Sequence, residues 1–417
     1  MHRIKILALL LVTAWSATAL GQAPATGVTV FEGARLIVGD GRAPIENAAF
    51  IVNGTRITEV GRAGQVRVPA GATRVNLAGK TVMPAINDTH THLSQTREML
   101  TNDLKRRAYY GVGAAQSMGQ DTADVPFEIR ANPIPGAARF FTAGRGITRP
   151  EPGRTTAPYW VTSDAEARKA VQELAAKKVD IVKIWVDDRD GTMMKMTPDL
   201  YTAVIDEAHK QNLRTIAHVY TLEDAKGLLR AGIDAFAHGV RDKVIDDEAV
   251  ALYKGRRNLV VGPNMPDRGV AVDMSWLRDS LPAAEVDKLQ AAATDRPMVN
   301  AFWKIQAQNL AKVNAAGVKI VVGTDGNTPW APHVEMEDMV AAGMTPMQVL
   351  VAATKNGAEF LRMTDSGTIE ANKTADFIVL DANPLDDIRN TRKISAVYLK
   401  GAAIDRAPFN VRQTAQR

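Results

Sequence analysis

Met83-Pro84-Ala85-Ile86-Asn87-Asp88-Thr89-His90-Thr91-His92 is an apolar run that stops on two histidines one residue apart. In an extended strand, side chains at i and i+2 point to the same side, so His90 and His92 can grip a single ion. Imidazole is the commonest nitrogen ligand for zinc, and a pair at a strand end supplies two of the three or four protein ligands of a catalytic site. An isolated His-x-His is only a modest signal. The rest of the chain decides what it means.

The chain has 417 residues, enough for a (β/α)8 barrel of about 250 residues plus a smaller accessory domain. Apolar and charged fractions of 46% and 23% are those of an ordinary globular protein and exclude disordered and fibrous classes. There is no cysteine, so disulfides, thiolate nucleophiles and cysteine metal sites are excluded together. Any metal must be held by nitrogen and oxygen.

Met1 to about Ala23 reads as a secretory signal. His2, Arg3 and Lys5 form a basic start, Ile6 to about Ala14 an apolar core, and Ala17-Thr18-Ala19 or Ala19-Leu20-Gly21 the cleavage site. The apolar run is too short for a permanent membrane anchor. The expectation is an exported protein, periplasmic in a Gram-negative source. Taking Arg3 and Lys5 from the 51 basic residues leaves 49 against 46 acidic ones, a formal +3. That is no electrostatic footprint for nucleic acid.

From about Val28 to Thr81 the texture is short strands and turns, with Asn53-Gly54 as a hairpin signal. The same texture returns in Ala375–Leu380 and Ala396–Gly401, which predicts one small β-sandwich domain built from both flanks, residues 24–81 and 363–417. Between them, over 82–362, strand-like and helix-like segments alternate as parallel βα units require, predicting an α/β TIM barrel. Strands are expected at Val82–Asn87, Val112–Ser117, Arg139–Thr142, Asp180–Trp185, Arg214–Ala217, Ala235–Ala237, Leu259–Gly262 and Lys319–Gly323. Helices are expected at Asp164–Lys177, Thr197–Gln211, Leu222–Ala231 and Thr345–Leu361, and residues 264–305 are long enough to form a lid.

Lys183, His218, His238 and Asp325 fall at or just beyond the ends of those strands. C-terminal strand ends of such a barrel converge on one mouth, so these four and His90 with His92 would face a common centre. Here the chain resembles the metal-dependent amidohydrolase superfamily, in its imidazolonepropionase-like branch with Xaa-Pro dipeptidases. The resemblance rests on the His-x-His strand, Lys183, His218-Val219-Tyr220, Ala231-Gly232-Ile233-Asp234 through His238, Gly323-Thr324-Asp325, Ala342-Gly343-Met344-Thr345-Pro346, Ala352-Ala353-Thr354-Lys355-Asn356 and Ala375 through Leu385.

The resemblance implies two divalent ions, expected to be zinc. His90, His92 and Asp325 would hold one, His218 and His238 the other, with an N-carboxylated Lys183 bridging them. An ammonium cannot ligate, and burial that depresses a lysine pKa makes the required proton loss possible. Asp325 would take a proton from the attacking water and give it to the leaving amine, and Tyr220, at i+2 from His218, would donate to the substrate carbonyl. His333 and Arg149 are further candidates for substrate contact, whereas His209 reads as surface. The family's usual glycine after the first proline is Ala85, and Asn87 stands where an apolar residue is usual. The loop Gly144–Pro150 lacks the histidine many relatives carry and has Arg149, with Arg154 beyond, available for a substrate carboxylate.

The expected activity is hydrolysis of an amide bond in a small substrate such as a dipeptide or an N-acyl amino acid. The same ligands would also serve a lactone, a cyclic amide or a phosphoester. A reading of another class is a non-catalytic exported metal- or ligand-binding protein, against which the complete ligand set with its acid/base aspartate argues. Oligomeric state is left open.

Overall fold

The structure, a computed structural model, describes residues 27–411; the expected signal segment lies outside them. Strands from the two ends of the chain share one eight-stranded sheet. Its order is Ala402–Ala403, Ile394–Leu399, Phe377–Leu380, Thr81–Pro84, Val28–Leu36, Ile45–Asn53, Arg56–Arg62, with Thr73–Asn76 also pairing Val28–Leu36. Alternation along Val28–Leu36 sends Val30 to one face, with Val28, Ala49 and Ile51, and Phe31 to the other. There Phe31 stacks on Phe50 and meets Phe377 edge-on, which fuses the two flanks.

The expected first barrel strand divides in two. Thr81–Pro84 belongs to the flank sheet, antiparallel to Phe377–Leu380, and a separate strand, Ile86–Thr91, carries the histidines. The break falls at Ala85, after the proline that lacks a backbone N–H. Ala85 N–H donates to Asp376 in the flank sheet and Ile86 N–H to Gly111, so the chain changes sheets within one residue.

Parallel strands follow in two sheets. One joins Ile86–Thr91, Val112–Ser117 and Arg139–Thr142; the other has the order Tyr159–Trp160, Ile147–Thr148, Val182–Val186, Thr215–Val219, Ala235–Phe236, Val260–Val261, Lys319–Ile320. Among the described residues they do not form one continuous ring. Backbone bonds span both seams, among them Asp180 N–H to Thr142 (3.0 Å) and Thr89 N–H to Val322 (2.9 Å). Inward apolar residues of both sheets, Ala114 and Phe141 with Ile216 and Val260, share a core with Phe360 and Leu361.

Helices cover the outside. Arg97–Tyr109, Asp164–Ala176 and Leu222–Ala231 are each capped by a threonine or serine that accepts from an N-terminal backbone amide. Residues 264–305 are not a bare loop: they hold a 3₁₀ turn at Ser275–Leu277 and a helix at Ala283–Ala292, and Leu277, Leu281 and Val286 pack on Tyr109 and Tyr110.

The expected helix Thr345–Leu361 is interrupted by a π turn at Ala352–Asn356. Asn87 explains how the interruption is tolerated. Its side-chain amide donates to the Thr354 carbonyl at 2.8 Å, and both residues are buried. The polar residue that departs from the family pattern thus satisfies a π-turn carbonyl and fixes the histidine strand against that helix. Asn87→Leu removes one of the two hydrogen bonds this carbonyl accepts, the other coming from the Gly357 N–H, a cost of about 0.5–1.5 kcal/mol. Denaturant unfolding of the variant is expected to show this loss, and unchanged stability would refute the role.

Candidate active site

His90 and His92 stand at the end of Ile86–Thr91, and the loop after the last parallel strand folds over them. Thr324 and Asp325 both donate backbone N–H groups to the His90 carbonyl, at 3.0 and 2.8 Å. Asp325 makes this turn with φ at +52°, a left-handed conformation uncommon outside glycine, and strain of this kind concentrates at functional sites. Asp88, fully buried, accepts from the Thr324 hydroxyl at 2.8 Å and anchors the loop from below.

The turn delivers the Asp325 carboxylate to three imidazoles. Oδ1 lies 3.0 Å from His92 Nε2 and 3.2 Å from His90 Nε2, and Oδ2 lies 3.5 Å from His238 Nε2. The ligand atoms of His90, His238 and Asp325 all fall within 4.8 Å of one another. Burial pushes His90 down to about 4 and His238 well below its ordinary value. For Asp325 burial acts upward, but the surrounding imidazoles, His92 Nε2 hydrogen-bonded to it among them, outweigh this and hold the carboxyl far below the usual range.

His90 shows what this centre is built for. Its Nδ1 is 3.1 Å from Asn264 Oδ1, a bond that places the imidazole proton on Nδ1. Nε2 then presents a lone pair to a carboxylate oxygen with no proton between, and it has no hydrogen-bond partner. Two lone pairs at 3.2 Å repel unless a cation joins them. These residues fit a divalent ion with nitrogen and oxygen ligands.

A second group adjoins the first. His218 donates Nε2–H to Asp187 Oδ2 at 2.8 Å, which frees Nδ1, and its ring lies 4.6 Å from that of His238. Lys183 is wholly buried and its Nζ has no hydrogen-bond partner. Its neighbour Trp185, 5.2 Å from Nζ, occupies space left by Gly119 and Gly146, where a Cβ at 146 would meet the indole at 2.0 Å. Burial pulls Lys183 down to about 7, Asp325 opposes this, and the Arg241 and Arg189 charges add to it. A near-neutral, unpartnered amine is the form that can react with carbon dioxide.

A family model described as the amidohydrolase family matches residues 81–404. The chain belongs to the amidohydrolase family. It is similar to the imidazolonepropionase of Deinococcus radiodurans, 26% identical over 385 residues that cover 86% of this chain and 92% of that one. It is also similar to the ochratoxinase of Aspergillus niger, 24% identical over 439 residues covering 91% and 87%. In fold it is similar to a Xaa-Pro dipeptidase with methionine bound in its active site, at a TM-score of 0.72 and 22% identity, covering 90% and 99%. This amidohydrolase is accordingly a hydrolase of carbon–nitrogen bonds, in a metal-dependent superfamily.

The fold brings His90, His92, His238 and Asp325 together, with His218 beside His238. It does not bring His333 to them by any contact. His333 is buried, with Nε2 donating to the Tyr110 carbonyl at 2.9 Å and Nδ1 3.0 Å from the Thr391 hydroxyl, so both ring nitrogens are committed to structure. Arg149 follows Ile147–Thr148 and makes no ion pair or hydrogen bond among the described residues. Tyr220 is half-buried, and burial raises its hydroxyl pKa. His209 is on the surface, paired to Asp234 at 2.8 Å. Asn264, Asp187, Arg189 and Arg241 escaped the sequence reading, since none belongs to a local pattern. A cavity of about 320 Å³ reaches the site at Thr324, lined also by Met265, Val334 and Glu335.

Lys183 sets a pH dependence in the metal-free protein. Its pKa is near 7 when folded and ordinary, 10.5, when unfolded, so between these values the unfolded chain holds a proton the folded one lacks. The penalty is full at pH 7 and below, up to about 5 kcal/mol, and fades as pH rises toward 10.5. Without metal and in carbon-dioxide-free buffer, Lys183→Met is expected to melt above wild type at pH 7, with the gap closing by pH 10. A gap independent of pH would show that Lys183 is not the buried, depressed amine described.

Proposed function

We propose that this amidohydrolase is an exported, binuclear metal-dependent amidase acting on a small substrate such as a dipeptide or an N-acyl amino acid. The observation that carries this is the His90 lone pair set against the Asp325 carboxylate, with an unpartnered Lys183 beside it. The names of the relatives, imidazolonepropionase and ochratoxinase, differ in substrate, which supports a shared reaction class with specificity left to the loops. The shared core and the seam bonds support reading the parallel sheets together as a (β/α)8 barrel, with the flank sheet folding into the sandwich expected from sequence.

His90, His92 and Asp325 would hold one ion, and His218 with His238 the other. Zinc suits an all-nitrogen-and-oxygen set of this kind. When bound, the metal pair supplies Lewis acidity that activates water at neutral pH and polarises the scissile carbonyl. Neutral Lys183 attacks carbon dioxide through its amine lone pair and loses one proton, and the carbamate then offers two oxygens. Asp325, ionised in its cluster of histidines, accepts a proton from the attacking water and returns it to the leaving amine. Asn264 and Asp187 hold His90 and His218 in the tautomers that leave a lone pair for the centre. Tyr220 donates its hydroxyl proton toward the carbonyl oxygen as charge develops there.

Asp325→Asn is expected to lose turnover by about 10²–10⁴-fold while its melting temperature changes little. Near-wild-type turnover in that variant would overturn the mechanism. Lys183→Ala is expected to lose metal, measured by elemental analysis, and to regain part of it when short carboxylic acids replace the carbamate. Full metal content without rescue would remove the bridging role.

A further inference from the structure

Arg241 lies three residues past His238, and its side chain ends on it. One terminal guanidinium nitrogen sits 2.8 Å from His238 Nδ1. A guanidinium only donates, so it occupies the Nδ1 lone pair and leaves the imidazole proton on Nε2, which faces Asp325 Oδ2 at 3.5 Å. In that state neither nitrogen of His238 can hold a metal. Binding through Nδ1 takes the lone pair that Arg241 uses. Binding through Nε2 moves the proton to Nδ1, where it meets a second donor. Either route turns Arg241 away from His238.

The carboxylates that act on Arg241 across the site, Asp325, Asp187 and Glu335, are each committed elsewhere: Asp325 to the imidazoles, Asp187 to His218 and Arg189, and Glu335 to the Met265 backbone N–H. The Arg241 Nε is buried without a partner, and the side chain forms no ion pair among the described residues. The neighbouring Arg189 differs: it pairs with Asp187 at 2.7 Å and Glu151 at 3.1 Å, and Glu151 also takes Arg154 at 3.0 Å. The carboxylates on this side of the site are therefore spent, and Arg149, beside that cluster in sequence, is likewise unpaired. A guanidinium held out of water without an anion is costly, and a planar carboxylate is the partner its fork fits.

We propose that Arg241, released from His238 when the site is loaded, binds the carboxylate of the substrate and so selects amides that carry a free carboxylate over those that do not. The proposal rests on the amidase reading above and adds to it the residue that recognises substrate charge.

Metal-loaded wild type, Arg241→Gln and Arg241→Lys are compared on N-acetyl amino acids and the matching C-terminal carboxamides, with metal content measured for each. Wild type is expected to prefer the acids. In Arg241→Gln the ratio of kcat/KM for acid over carboxamide is expected to fall by about 30-fold or more, chiefly through KM, with part of the preference restored in Arg241→Lys. An unchanged ratio in a fully loaded Arg241→Gln would overturn the proposal, as would loss of metal with no change in preference. Calorimetry supplies a readout without turnover: leucine is expected to bind the loaded wild type more tightly than leucinamide, and Arg241→Gln to erase the difference. If wild type cleaves no amide, the amidase reading falls. The calorimetric difference then still decides Arg241, its loss in the variant supporting a carboxylate site and its persistence refuting one.

Discussion

The Asp325 carboxylate, held against three imidazoles by a turn folded over the His90 carbonyl, is the contact on which the site depends. It needs Asp325 in a left-handed conformation, Gly323 without a side chain where a Cβ would come within 2.9 Å of the His90 Cβ, and the buried Asp88 beneath Thr324. Each of these lies on a different part of the seam between the first and last parallel strands. The same bonds that tie Thr89 to Val322 and the loop to His90 therefore position the His90 and Asp325 side chains. Packing and chemistry share one set of hydrogen bonds.

Burial then decides protonation. His90, His218 and His238 lie in surroundings that disfavour their charged forms, and Lys183 is drawn toward neutrality in the same region. A site assembled from neutral bases and one carboxylate is stable only when something positive lies between them. Arg241 on His238 is one such charge, and a metal ion is another. On the proposed reading, competition between them would link loading of the site to release of a guanidinium, so that metal binding and recognition of an anionic substrate would fall to neighbouring atoms.

Much of this was legible along the chain. The strands Val112–Ser117 and Arg139–Thr142 and the helix Leu222–Ala231 stand where periodicity puts them, and the candidate histidines fall at or just beyond strand ends as their spacing implies. The first strand reads as one segment because Val82–Asn87 is uniformly apolar up to Asn87 and nothing local marks a change of sheet. His333 is a candidate for substrate contact by sequence because it follows the last parallel strand. Its place between Tyr110 and Thr391 depends on chain more than two hundred residues before it and fifty-eight after. Asn87 looked like a mild departure, and its reason is a π turn that no periodicity reveals.

The sequence by itself determined the family and the parallel alternation of strand and helix, and it singled out His90, His92, Lys183, His218, His238 and Asp325 as candidates, because strand periodicity and motif spacing are local. Only the tertiary structure decided which nitrogen of each histidine is free, and which charges are spent. Asn264 meets His90 across 174 residues and Asp187 meets His218 across 31, contacts set by how strands and loops pack. Arg241 is close to His238 in the chain, yet nothing in the string of residues says that its side chain turns back onto the ring instead of out to solvent. That choice is made by the crowding of the site around it.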